Sequence, residues 1–112
     1  MPIIGNRLAF TQENIEHAPD EPGVYVLYMD ARLVYYGSTE LSVRSHLLDH
    51  LSGNNGKCTA AATVYGCEVV LKPAQRERDL LKEYKTAYGS LPLCNGIMAQ
   101  EPKVPDQELT SA

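Results

Sequence analysis

Residues 23–37, GVYVLYMDARLVYYG, constrain this chain more than any other stretch. Two short apolar runs, Gly23–Met29 and Leu33–Tyr36, flank Asp30-Ala31-Arg32, a polar tripeptide suited to a turn. Val, Leu and Tyr dominate both runs, as a pleated and half-buried surface prefers, so the stretch predicts a β-hairpin. Once paired, Tyr25 and Tyr35 come near one another on one face. Gly23 and Gly37 bracket the unit, where a strand must begin or end with close backbone approach.

The 112 residues suffice for one small domain with a modest core. No run approaches the ~20 apolar residues of a membrane span and no signal-peptide pattern opens the chain, so a cytoplasmic protein with no membrane partner is expected. Cys58, Cys67 and Cys94 are odd in number and form no CxxC pair. They are expected to be ordinary small apolar side chains, and neither a disulfide framework nor a zinc knuckle is expected. The net charge of −4 is awkward for a nucleic-acid partner. The acid lies in the flanks, however. Residues 23–95 carry eight basic and seven acidic side chains, so affinity for phosphate backbones should be weak and salt-sensitive.

The first ten residues look irregular. Thr11 reads as the cap of a short helix that ends by Ala18, before Pro19. A second helix is expected from about Leu41 or Ser42 to Leu51, ended by the Gly53–Gly56 loop. On its ~100° wheel Val43, Leu47, Leu48 and Leu51 form the core stripe, with His46 and His50 side by side along one edge. Arg44 falls inside the stripe, a costly place without a partner or a wet cleft. Residues 57–65 leave helix and irregular crossing open. Cys67–Lys72 reads as a third strand. The strongest helix runs from Pro73 or Ala74 to Tyr88, with Leu80, Leu81, Tyr84, Ala87 and Tyr88 as its apolar face. Arg78, Lys82 and Lys85 line another side, as a solvated face or a phosphate-contact strip. Leu91–Asn95 should fold back on the core, and a mobile tail is expected from Gly96.

Glu77 breaks the apolar face of the long helix. Either it is paired locally, or it turns into a cleft to hold a hard divalent cation, for which one carboxylate suffices when water and a substrate phosphate complete the shell. Tyr25 and Tyr35 offer phenols, poor bases unless a cation lowers their pKa from ~10. Asn95 could orient water or phosphate, or close the final turn.

The triplets Gly23-Val24-Tyr25 and Tyr35-Tyr36-Gly37 resemble the signature of the GIY-YIG nuclease family. Glu77 followed by Leu80-Leu81, and Asn95 after Leu91-Pro92, fit the same pattern, so the resemblance spans roughly residues 22–95. That family places an Arg on the helix after the second triplet, often with a His four residues later. Counted forward from Gly37, with one residue deleted, the position is Arg44; counted back one helical turn from His50, it is His46. The two project roughly 200° apart, so they are alternatives. Ser38 stands where some members carry a Lys. The resemblance implies an α/β domain over residues 1–95, with a small, mainly antiparallel three-stranded sheet flanked by helices, and a flexible tail over 96–112. It implies a metal-dependent endonuclease acting on DNA, with RNA as the alternative, using Mg2+ or Mn2+ on Glu77. Tyr25, Tyr35, Arg44, His46, His50, Glu77 and Asn95 would form the site, with Arg44, or protonated His46 together with His50, neutralising the phosphate. With no separate DNA-binding module, a homodimer or a guiding protein partner is implied. The alternative is a catalytically weakened module that binds nucleic acid or protein through the same cleft.

Overall fold

The computed structural model describes Ile3 and residues 5–100. Four strands form one antiparallel sheet: β1 (Leu8–Ala9), β2 (Gly23–Met29), β3 (Arg32–Thr39) and β4 (Val64–Val69). Their spatial order is β1-β4-β2-β3, so the hairpin supplies a central strand and an edge strand. Its loop is Asp30-Ala31, with Met29 opposite Arg32 and Asp30 at a φ of 55°, a conformation that Asp tolerates. A bulge between Leu27 and Tyr28 shifts the register.

Period-two alternation divides the hydrophobic side chains into two cores. Val24, Val26, Tyr28 and Tyr36 pack under Leu80 of the long helix α4 (Pro73–Tyr88). Tyr25, Leu27, Val34 and Tyr65 pack on the other face against Ile15, Val43, Leu47 and Cys94. These come from helices α1 (Gln12–Ile15), α2 (Val43–Ser52) and α5 (Leu93–Gln100). The single turn α3 (Lys57–Ala60) lies between α2 and α5. Local chemistry explains the helix ends. The Thr11 side chain accepts from the Asn14 N–H at the start of α1, and Ser42 accepts from Ser45 N–H at the start of α2. Gly53 and Gly89 close α2 and α4 in the left-handed conformation. Arg78, Lys82 and Lys85 are exposed on α4.

Four sequence expectations need correction. The sheet has four strands, not three, because Leu8 and Ala9, expected to be irregular, pair with Tyr65 and Val64. The strand expected at Cys67–Lys72 is Val64–Val69 instead. Gly66 lies inside the strand opposite Val26, whereas Leu71 is 98% exposed. The chain does not loosen at Gly96: α5 carries it on to Gln100, anchored by Leu93, Cys94 and Met98 in the core. The tail expected beyond that, at 101–112, lies outside the described residues. Finally, Cys58 and Cys94 form a disulfide that ties α3 to α5, and only Cys67 is free.

That bond closes a 36-residue separation, for which restriction of the unfolded chain contributes about 2–4 kcal/mol. Urea unfolding with and without a phosphine reductant should therefore show a lower midpoint in the reduced protein. Identical midpoints would mean that the bond carries no stability.

Candidate functional site

The site forms where β2, β3, α2 and α4 meet near the outer edge of the sheet, and Tyr25 is its centre. The Tyr25 ring lies across Gly37: a Cβ built at residue 37 would sit 2.4 Å from Tyr25 Cζ. Only glycine leaves room there, so the first tyrosine and the last glycine of the two triplets are one steric unit. Tyr25 is 1% exposed. Its hydroxyl is 2.8 Å from His50 Nε2 and 3.5 Å from His46 Nδ1, the second too long for a good hydrogen bond. His46 and His50 reach the same hydroxyl because they are one turn apart on α2. Tyr35 completes the aromatic cluster, its ring centroid 6.2 Å from that of Tyr25 and 5.1 Å from that of His50. Beneath this layer, Thr59 Oγ1 of α3 lies 2.8 Å from His50 Nδ1.

Arg44 is elsewhere. Its Nε donates to the Ala18 carbonyl at 3.0 Å, and its backbone N–H to Pro19, so it pins the loop after α1 onto α2. That is the partner its position in the apolar stripe demanded. The structure thus turns His46, not Arg44, toward the phenols.

Glu77 approaches from α4. It is half-buried, and the Ser38 hydroxyl donates to its Oε1. Among the described residues it makes no ion pair; the neighbouring Arg76 directs its Nε to Glu68 Oε1 at 2.8 Å. Glu77 is near enough to push both phenols up. Burial raises Tyr25 most, followed by Tyr35 and then Glu77. Burial also raises Tyr35, with Glu77 next and a smaller opposing effect of Tyr25. His50 is held down at about 4, by burial first and His46 second, against a smaller opposing effect of Asp49. A neutral, buried His50 cannot neutralise a phosphate, which corrects that part of the role expected for it.

Asn95 of α5 has both amide atoms committed. Oδ1 accepts from Tyr36 N–H at 2.9 Å and Nδ2 donates to Tyr36 C=O at 3.0 Å. It closes the free edge of β3 as a further strand would, and so holds the backbone that presents Tyr35.

Sequence reasoning did not find Thr59, which carries no motif, nor Ser38 as the partner of Glu77. For Ser38 the alternation gave a signal: it shares the Tyr36 face of β3, toward α4. A half-buried carboxylate with a hydroxyl partner and no bound cationic side chain suits one hard divalent cation that keeps water and phosphate oxygens in its shell. Among the described residues no group of three His, Cys, Asp or Glu side chains could form an all-protein cage. A separate cavity of about 580 Å³, lined by Arg7, Tyr28, Tyr36, Tyr84 and Tyr88 among others, holds none of these site residues.

This is a GIY-YIG-like fold. The chain is similar to the GIY-YIG N-terminal endonuclease domain of UvrC from Thermotoga maritima, bound to its catalytic magnesium, with a TM-score of 0.57 and 23% identity over 73% of this chain and 91% of that one. It is similar also to a tyrosine-to-phenylalanine point mutant of that domain (TM-score 0.53, 20% identity, 70% and 90% coverage). An asparagine-to-alanine point mutant matches likewise (TM-score 0.53, 20% identity, 70% and 89% coverage). No family model matches the sequence, and no curated protein matches it significantly.

Burial of His50 makes stability depend on pH. Its pKa falls from 6.5 in the unfolded chain to about 4 in the fold, so between those values the unfolded chain binds the extra proton. The contribution is complete above about pH 6.5 and is lost as pH falls toward 4, by at most about 3 kcal/mol. Urea unfolding from pH 7.5 to 4.5 should show this decline, and His50→Gln should flatten it. A wild-type profile level across that window would refute the buried, neutral state.

Proposed function

We propose that this chain is a metal-dependent endonuclease that hydrolyses phosphodiester bonds, with DNA as its substrate. The observation that carries the reading is the convergence of Tyr25, Tyr35, His46 and Glu77 from three pieces of chain far apart in sequence, with no cationic side chain bound to Glu77 among the described residues. The GIY-YIG-like fold supports it.

Glu77 would hold Mg2+ or Mn2+, with Ser38 fixing one carboxylate oxygen. When bound, such an ion offsets the carboxylate charge and stabilises the negative charge that develops on the phosphate. Tyr35 is half-buried, whereas Tyr25 is 1% exposed. Tyr35 is the phenol that an attacking water can reach, and would take the proton of that water once a bound cation lowers its pKa. Tyr25 packs its ring against Tyr35 and fixes it. His46, on the cleft side of Tyr25, is the side chain on α2 placed to meet a phosphate oxygen. His50 stays neutral and positions Tyr25, while Asn95 positions Tyr35 through the Tyr36 backbone. Arg44 has a structural role only.

One observation favours a second reading, a weakened module that binds nucleic acid through the same cleft. An imidazole stands where a guanidinium would give a permanent, bidentate phosphate contact. A cytoplasmic location is part of the main reading; the Cys58–Cys94 bond persists there only if its potential lies below that of the thiol pool.

Nicking of supercoiled plasmid with Mg2+ or Mn2+ separates the readings. The nuclease reading expects metal-dependent nicking, lowered at least about 100-fold in Glu77→Ala and Tyr35→Phe and unchanged in Arg44→Lys. A wild type that binds DNA without nicking it, and gains nicking in His46→Arg, would establish the weakened module instead.

A further inference from the structure

We propose that Thr59 is a positioning residue that fixes the proton of His50 on Nε2, making the imidazole a donor to the Tyr25 hydroxyl. Its meaning for catalysis rests on the nuclease reading; its structural content does not.

Thr59 is completely buried. Among the described residues its hydroxyl has one hydrogen-bond partner, His50 Nδ1 at 2.8 Å. A hydroxyl can donate or accept, but its hydrogen needs an acceptor. If His50 carried its proton on Nδ1, Thr59 would have to accept, and its own hydrogen would be orphaned in a dry interior. If Thr59 donates, every hydrogen is used. Nδ1 then accepts, the ring nitrogen that bears hydrogen is Nε2, and Nε2 lies 2.8 Å from Tyr25 Oη. Tyr25 in turn can only donate onward, and the acceptor in reach is His46 Nδ1, a long contact at 3.5 Å. The result is a one-way relay, Thr59 to His50 to Tyr25 to His46. With the other tautomer His50 Nε2 would accept from Tyr25, and the relay would run backwards.

The fold holds Thr59 by means other than helix stability. The turn α3 has only four residues and no side-chain cap. The adjacent Cys58 is bonded to Cys94, which neighbours Asn95. One covalent link therefore steadies both the start of the relay and the clamp on the Tyr36 backbone.

The test is 15N–1H long-range NMR of imidazole-labelled protein, which reads directly which His50 nitrogen bears hydrogen. The expected result is hydrogen on Nε2 in wild type and in Thr59→Ser, with the Nδ1–H form appearing in Thr59→Val. Hydrogen on Nδ1 in wild type would overturn the proposal, and that measurement requires no variant to fold. An unchanged Nε2–H tautomer in folded Thr59→Val would overturn it as well. In the nicking assay Thr59→Val should be slower by at least about tenfold, with Thr59→Ser restoring the rate; equal rates for Val and Ser would also count against the proposal. A wild type with the Nε2–H tautomer that does not nick would sink the nuclease reading and leave the Thr59 assignment standing.

Discussion

The structure depends on a phenol laid over a glycine. The Tyr25 ring occupies the space a side chain at residue 37 would fill, and this stacking sends its hydroxyl along the hairpin to His50. The hairpin is therefore more than a scaffold for two tyrosines. Its own steric fit aims Tyr25, and α2 only has to present an imidazole at the right height. Asn95 then finishes the open edge of β3, so that the strand bearing Tyr35 is held on both sides.

Electrostatically, the site is unbalanced as it stands. A buried phenol, a half-buried phenol and a half-buried carboxylate lie together, and the carboxylate makes loss of a proton from either phenol harder. The one imidazole deep in the site is held neutral by burial. In isolation such an arrangement costs free energy, and a positive charge arriving at Glu77 relieves it. The imbalance is the physical reason for reading the carboxylate as a cation ligand rather than as half of an internal ion pair. Preorganised donors that point one way, from the buried Thr59 toward Tyr25, are what a reaction that builds negative charge requires.

Much of this was legible in the sequence, and the exceptions have physical causes. The hairpin announced itself through alternation and its polar loop, and α4 through Pro73 at its start and Gly89 at its end. The acid in the apolar face of α4 marked Glu77. Arg44 and His46 were separable in principle by helix phase: a charged residue inside the apolar stripe had to find a partner, and it found the Ala18 carbonyl. What the sequence hid was non-local. A two-residue strand such as Leu8–Ala9 has no period to read. The Cys58–Cys94 bond depends on α3 and α5 packing together, and a Thr in a four-residue helix acquires its role only once His50 is buried above it. The tail was set at Gly96 because Pro, Gln and Glu dominate beyond it, whereas the helix there is anchored in the core as far as Met98.

The central claim is that Glu77 and the two phenols share one cleft able to hold a cation against a phosphate. The most direct test is anomalous diffraction from crystals grown with Mn2+ and a short oligonucleotide. The account predicts a single manganese peak within about 2.2 Å of a Glu77 carboxylate oxygen, with a phosphate oxygen in its shell facing Tyr35. A peak bound elsewhere, or an oligonucleotide seated away from Tyr25 and Tyr35 with no ion on Glu77, would contradict it.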